Sequence, residues 1–170
     1  MRLSLDYINK FIAKKSDWIV TKQLQMKKRR ELLDERLLGS SGAALFLGEK
    51  NVPNFSSKKE LILWYKREAA KYLVPRVEFY AGLLGVGFGK IKIGSAKKRW
   101  GSCSARGNIN FSWRLIMAPK EAVDYVVAHE VAHLLHKNHS AKFWNCVLQL
   151  MPDYKQHHVW LRRNGFLLDL

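Results

Sequence analysis

The stretch VDYVVAHEVAHLLHKNHSAKFW, residues 123–144, decides the fold of this chain more than any other part of it. Its apolar residues recur at helical spacing as far as Leu135, which predicts one helix with mostly uncharged sides. Pro119 stands where a helix accepts its first proline, and Glu121 falls in the first turn against the positive helix end. A helix this rich in apolar residues is typical of an element buried behind a cleft.

Two histidines lie on one side of this helix. His129 and His133 are four residues apart, so their Cβ atoms lie ~6 Å apart and their directions differ by about 40°. Two imidazoles placed in this way can bind one metal ion. Glu130 is turned ~100° from His129, which places its carboxylate beside the open coordination position of such an ion, as a general base requires. The alternative is a pair of core histidines that are hydrogen-bonded to the backbone.

A third ligand has to come from outside this pair. His139 is favoured, because Asn138 tolerates the left-handed conformation that turns a chain back and a new helix can begin directly after it. His136 is the weaker alternative, since three ligands on one straight helix strain a tetrahedral site. A carboxylate, that of Asp153 or Glu121, is the remaining alternative.

This pattern of histidines and a glutamate predicts metal-assisted hydrolysis. Imidazole donors suit zinc, so zinc is the metal that the ligand type indicates. Three neutral imidazoles leave a zinc ion with one open position for a water molecule, whose pKa falls to ~7. Glu130 would take the proton of this water and pass it to the leaving group.

The composition bounds the partners and the compartment. The formal net charge is +16 over 170 residues, which favours anionic partners such as nucleic acid or nucleotides, although a solvated basic surface is the simpler explanation. Cys103 and Cys146 are too few for a disulfide framework, so reduced thiols and a cytoplasmic location are expected. The first residues lack the apolar core of a secretory signal, and no run of 18 apolar residues predicts a membrane span. The oligomeric state does not follow from the sequence.

Three further segments have helical periodicity. Two of them, residues 5–12 and 17–37, are predicted as separate helices, the second opened by Ser16. The third begins after Ser57, which forms a capping box with Glu60, and Pro75 is expected to kink or restart that helix.

Two segments alternate apolar and polar residues. KIKIG at 90–94 and NINFSW at 108–113 predict strands of a short antiparallel sheet beside the metal-binding helix. GSSGAA at 39–44 is a flexible joint, and one strand of a hairpin is expected around residues 43–50. The expected fold is α+β, a mostly helical single domain over residues 1–170.

Two motifs carry a resemblance to a known family. They are RWGSCSARGNINFSWRL at 99–115 and the histidine stretch at 123–144, followed by MPDY and WLRRNGF. Together they resemble the YgjP-like metallopeptidases, relatives of the SprT-like proteins in the zincin group. The resemblance covers residues 57–170 almost continuously and implies a zincin-like fold with Glu130 as the catalytic acid and base. The zinc ligands that it implies are His129, His133 and His139.

Residues 1–56 depart from the pattern of that family. Its members commonly carry a further strand-rich segment in this part, whereas here a helix is predicted almost from Met1 and the hairpin around 43–50 is short. We expect a divergent or abbreviated N-terminal part of the same domain.

Four further residues are candidates for substrate binding, each with a purely structural role as the alternative. Arg99 can pair with a carboxylate or phosphate, Ser102 or Asn108 can donate a hydrogen bond to an oxyanion, and Tyr154 can do the same. The strand at 108–113 is expected to be an exposed edge to which an extended peptide can add by main-chain hydrogen bonds.

Three functions follow in order of preference. The first is a zinc-dependent metallopeptidase that acts on extended polypeptide. The second is a metal-dependent nucleotide pyrophosphatase, because the basic charge favours anionic substrates and nucleotide hydrolysis has been associated with the family that the chain resembles. The third is a DNA-associated protein with weak or lost peptidase activity, whose binding would fall steeply with salt.

Overall fold

The computed structural model describes residues 4–38, 45–49 and 53–168. These residues belong to two compact units, one within residues 1–43 and the other within residues 44–170. The prediction that the whole chain forms a single domain stays a prediction.

The first unit contains one long helix, α1 (Leu5–Leu38). The break predicted at Ser16 is wrong. The hydroxyl of Ser16 donates to the carbonyl of Ala13 (2.9 Å), and the hydroxyl of Thr21 donates to the carbonyl of Asp17 (2.7 Å). Because both hydroxyls are satisfied inside the helix, with no Gly or Pro between residues 5 and 38, the helix continues.

The second unit begins with a short turn. Within the described part of the hairpin predicted around residues 43–50, residues 45–49, a single bridge joins Phe46 and Glu49, and the joint predicted at 39–44 lies outside the described residues. The N–H of Leu47, at the tip of the turn, donates to the carbonyl of Ile116 (2.8 Å), which fastens the turn to the core of the second unit.

The helix α2 (Lys58–Leu84) crosses the second unit. The N–H of Glu60 donates to the hydroxyl of Ser57 (3.2 Å), so Ser57 is the N-cap as predicted. The second half of the predicted capping box differs, because the carboxylate of Glu60 accepts from the N–H of Ser56 (3.2 Å). Pro75 lies inside α2 and does not restart it. Packing on both sides of the proline holds the helix together, because the buried positions recur at helical spacing before and after it: Tyr65, Ala69, Leu73, Val77 and Tyr80.

The sheet has three strands in the order β1-β3-β2, with β1 parallel and β2 antiparallel to the central strand. The strands are β1 (Ile91–Gly94), β2 (Gly101–Cys103) and β3 (Ile109–Ser112). The antiparallel pairing predicted for residues 90–94 and 108–113 is wrong, and so is the exposed edge predicted at 108–113. The reason is β2, which reverses the chain between the two predicted strands and covers the second side of β3.

The helix α3 (Lys120–Leu135) lies at the centre of the second unit. It packs against α2, β2, α4 (Ala141–Leu150) and α5 (Tyr154–Asn164), and its residues from Ala122 to Ala128 are all buried. Two 3-10 helices complete the unit, Trp113–Met117 and Gly165–Leu168. The predicted α+β class is therefore confirmed, with a mixed sheet beside the histidine-bearing helix.

One finding concerns membranes. None of the helices in the described ranges is both long enough and apolar enough to span a bilayer.

Candidate metal centre

Three histidine rings converge beside the C-terminal half of α3. His129 and His133 come from α3, and His139 comes from the loop that leads to α4. One ligand nitrogen of each ring lies within 4.8 Å of the other two, and the Nε2 atoms of His129 and His139 are 3.1 Å apart. Two nitrogens bound to one tetrahedral zinc ion are about 3.3 Å apart. The three donors therefore fit a single metal ion.

The loop after α3 brings the third ring back toward the helix. α3 ends at Leu135, and His136 already has extended backbone (φ −125°, ψ 104°). The side-chain oxygen of Asn138 then accepts a hydrogen bond from the N–H of Ser140 (3.3 Å), which tightens the turn before α4. The other ligands predicted as alternatives lie outside the metal-compatible group found among the described residues: His136, Asp153 and Glu121.

Burial keeps the imidazoles of α3 uncharged. It lowers the pKa of His129 to about 3, helped by repulsion from His133, His139 and His158, and it also lowers the pKa of His133. The Nδ1 atom of His133 lies 2.9 Å from the carbonyl oxygen of His136. A carbonyl only accepts, so Nδ1 carries the proton and Nε2 is left free with its lone pair. Neutral imidazole is the form that binds metals.

Aromatic side chains of α4 support the three rings. Phe143 is fully buried, and its ring centroid lies 4.8 Å from that of His129, 4.4 Å from that of His133 and 4.8 Å from that of His139. Trp144 stacks on His139 with centroids 5.7 Å apart. These contacts orient the rings.

The carboxyl group of Glu130 is buried next to the histidines. Glu130 is 5% exposed, and its Oε2 atom has no hydrogen-bond partner among the described residues. Burial raises the pKa of Glu130 to about 7, against an opposing effect of the Arg99 charge. The side chain lies flat against β2, where a Cβ atom on Gly101 would come within 2.5 Å of its Oε1 atom. Only glycine leaves room for the carboxyl group in this position.

A cavity of about 300 Å³ opens beside His129 and Glu130. Its walls come from the loop before β2, from α3 and from α5, and they are largely aromatic or aliphatic. The residues that line it besides those two are Trp100, Gly101, Tyr125, Val126, His158, Leu161 and Arg162. The cavity is large enough for a side chain of a bound molecule.

Two of the substrate-binding candidates belong to a second cavity. Arg99 and Ser102 line a space of about 290 Å³ together with Asn110, whose amide donates to the Ser102 hydroxyl (3.4 Å). Successive residues of a strand face opposite sides of a sheet. Ser102 therefore faces away from the side on which Gly101 meets Glu130, whereas the charge of Arg99 still reaches the carboxyl group.

The two other candidates have packing contacts. The side-chain oxygen of Asn108 accepts from the N–H of Lys90 (2.8 Å), so it joins the chain before β1 to the start of β3. Tyr154 is buried and stacks on Trp144 and Tyr125, with ring centroids 5.5 and 6.2 Å away. Tyr154 thus lies in the aromatic wall behind His129, and Asn108 lies in a turn.

Sequence reasoning missed Gly101 and Arg162. No local signal distinguishes Gly101, because its restriction comes from a residue that is 29 positions later in the chain. A signal for Arg162 did exist. Tyr154, His158 and Arg162 recur every four residues, which places all three on one face of α5.

The α+β fold and the three converging histidines together are what a metal-dependent hydrolase requires. The sequence model of the YgjP-like family, metallopeptidase domain, matches residues 46–164, which is more than half of the chain. The chain belongs to this family. The match begins at residue 46, whereas the resemblance of the sequence motifs covers residues 57–170. The family match therefore includes the short turn that precedes α2.

The chain is also similar to solved structures, among them that of a metallopeptidase zymogen. The zymogen of the metallopeptidase abylysin from Pyrococcus abyssi is 23% identical in sequence, and the match covers 53% of this chain and 93% of that chain with a TM-score of 0.48. No curated protein sequence matches the chain significantly. Membership of the family implies a divalent metal ion, and the three converging histidines are residues that can bind one.

Proposed function

We propose that this chain is a zinc-dependent metallopeptidase in which Glu130 acts as general base and acid. The observation that carries the proposal is the position of Glu130. Its buried carboxyl group, with one oxygen free of partners, lies beside three imidazole nitrogens that face a common point. His129, His133 and His139 would hold the metal.

The donor set favours zinc. Three neutral imidazoles are a ligand set of known catalytic zinc sites, in which the ion lowers the pKa of water to ~7 and polarises a carbonyl oxygen. The carboxyl group of Glu130 takes the proton of the attacking water and gives it to the leaving amine. Because Gly101 lets this group lie flat against β2, the carboxyl group keeps one orientation during both transfers.

The free edge of β2 supports a polypeptide substrate. The carbonyl of Trp100 accepts from the N–H of Ser112 in β3 (2.8 Å), and the N–H of Ser104 donates to the carbonyl of Asn108 directly before β3 (2.9 Å). Bonds of an antiparallel pair alternate along the strand, so Gly101 and Cys103 direct their N–H and C=O groups away from β3. Among the described strands β2 pairs only with β3. An extended peptide can therefore add to β2 next to Glu130.

The compartment we propose is the cytoplasm. Cys103 and Cys146 are both free thiols, the second of them buried. A reducing environment keeps such thiols free.

Replacement of Glu130 tests the proposed activity. The variant Glu130→Gln keeps the shape of the side chain but cannot accept a proton, so we expect cleavage of an unstructured protein to slow by about 10²- to 10⁴-fold. Zinc-loaded wild type and variant are compared in a time course of cleavage, with zinc content measured in parallel.

The matched control is Glu121→Gln, because Glu121 lies in the first turn of the same helix and is exposed. Its rate should equal that of the wild type. Equal cleavage by the wild type and by Glu130→Gln would contradict the assignment of the base.

Nucleotide pyrophosphatase activity is the second candidate, and the exposed side chain of Arg99 favours it. The charge of this guanidinium lowers the pKa of Glu130, and the side chain lines the cavity of about 290 Å³. Guanidinium groups bind phosphates well. The test is pyrophosphate release from a panel of nucleoside triphosphates, with Arg99→Gln as comparison. No release from any member of the panel would remove this candidate.

A further inference from the structure

One face of α5 forms a wall of the cavity beside Glu130. His158, Leu161 and Arg162 all line this cavity, since they follow each other at helical spacing. Trp100 and Val126 line it as well and supply apolar surface. A group that enters this space from solvent is thus partly removed from water next to the proposed metal centre.

Arg162 brings the only permanent positive charge to this cavity among the described residues that line it. It is exposed, and no described residue forms an ion pair or a hydrogen bond with its side chain. The one carboxyl group among the lining residues belongs to Glu130, whose charged neighbour is Arg99. The charge of Arg162 is therefore left for a bound molecule.

We infer that Arg162 binds a carboxylate of the polypeptide substrate, next to the bond that is cleaved. This inference rests on the proposed peptidase function and names the substrate class of the same site. A guanidinium presents two parallel N–H donors that match a carboxylate, and partial exclusion of water strengthens the pair. The carboxylate belongs either to an Asp or Glu side chain or to the C-terminus of the peptide.

Paired peptides separate these two sources. In the first pair, one peptide has Glu at the positions that flank the cleaved bond and the other peptide has Gln there. In the second pair, one peptide has a free C-terminus and the other has an amidated C-terminus. We expect kcat/KM to be about tenfold higher for the member with the carboxylate in one of the two pairs, as for a hydrogen bond to a charged group. Equal rates within both pairs would overturn the inference.

Variants of Arg162 show whether this side chain causes the preference. Arg162→Gln should lower kcat/KM for the carboxylate peptide by about tenfold and so remove the preference, and Arg162→Lys should keep part of it because the charge remains without the fork of donors. Arg163→Gln is the matched control, since Arg163 is the next residue of α5, is exposed and does not line the cavity. A full preference in Arg162→Gln would contradict the assignment.

Binding provides a second measurement that does not need turnover. The same peptides are titrated into the Glu130→Gln protein while tryptophan fluorescence is recorded, because Trp100 lines the cavity. The carboxylate peptide should bind about tenfold more tightly. A double variant with Glu130→Gln and Arg162→Gln should lose this difference in affinity, whereas a double variant with Glu130→Gln and Arg163→Gln should keep it. A wild type that cleaves none of the peptides would count against the proposed peptidase, whereas binding without any difference would overturn the role of Arg162 alone.

Discussion

At the scale of single residues, Gly101 is the position that most restricts Glu130. A methyl group there would meet Oε1 at 2.5 Å and Cγ at 2.6 Å, so the buried carboxyl group would have to shift and lose its orientation. We expect Gly101→Ala to lower kcat by about 10²-fold, because a displacement near 1 Å has this effect on a reacting group. Zinc content should not change, since the three histidines are unaltered. The measurements are kcat on an unstructured protein and zinc per chain.

Gly82→Ala is the control for this prediction. A Cβ atom at Gly82 has no neighbour within 4 Å, and the residue lies in α2. Alanine should stabilise this helix by about 0.5–1 kcal/mol and leave kcat unchanged. Full kcat in Gly101→Ala would show that the carboxyl group does not depend on the close approach of β2.

The positions of His129, Glu130 and His133 relative to each other could be predicted from the sequence. All three lie within five residues of one helix, whose geometry fixes the directions of their side chains. The contact of Gly101 with Glu130 could not be predicted, because it joins a strand to a helix that follows later in the chain. Arg162 is an intermediate case. The four-residue spacing predicts that it shares one face of α5 with Tyr154 and His158, but the cavity that it lines is formed together with other elements and could not be predicted from α5 alone.

At the scale of elements, an ion pair joins α2 to the helix that carries the histidines. Asp124 is 7% exposed, accepts from Nε and Nη2 of Arg76 (2.8 and 2.9 Å) and also accepts from the hydroxyl of Tyr72 (3.0 Å). Asp124→Asn would leave the guanidinium without its counter-charge. We expect it to destabilise the fold by about 2 kcal/mol, less than for a fully buried pair because Arg76 is partly exposed. This corresponds to a fall in Tm of roughly 4–8 °C.

Lys71→Gln is the control for this loss. Lys71 pairs with Glu68 (2.9 Å) on the same helix, with two-thirds of the lysine side chain exposed. Its replacement should change the stability by less than about 0.5 kcal/mol. Thermal unfolding followed by circular dichroism compares the variants, and an equal Tm for Asp124→Asn and the wild type would show that the pair does not stabilise the packing of α2 on α3.

Helices were more predictable than the pairing of strands. Alternation of apolar and polar residues indicates that 90–94 and 108–113 are strands, but it is the same for parallel and antiparallel neighbours. The direction was decided by β2, a three-residue strand that is too short to show periodicity. The capping signals around Ser57 and the apolar periodicity of α3 act within a few residues, which is why those elements were predicted correctly.

At the scale of the whole molecule, metal binding should stabilise the fold. The three histidines come from α3 and from the loop after it, so they converge only when the second unit is folded. A ligand that binds only the folded state adds about 2.7 kcal/mol at a concentration of 100 times its Kd. We expect zinc to raise Tm and a chelator to reverse the increase. The measurement is thermal unfolding with and without zinc.

Two histidine variants make this test specific. His133→Ala should abolish the effect of zinc on Tm, whereas His136→Ala should retain it, since the carbonyl of His136, which bonds to His133, is part of the main chain. An unchanged zinc effect in His133→Ala would place the metal elsewhere in the chain. Loss of the effect in His136→Ala alone would return the third ligand to His136.

The sequence by itself determined the elements whose signals are local. These are the helix over 120–135, the spacing of His129 and His133 along it, and the position of Glu130 between them, because 3.6 residues per turn leave no other arrangement. Only the tertiary structure decided how His139 returns to the helix, how β2 closes on Glu130 and how α5 forms a cavity that Arg162 lines. Each of these depends on packing between segments that are distant in sequence, and local periodicity carries no information about such contacts.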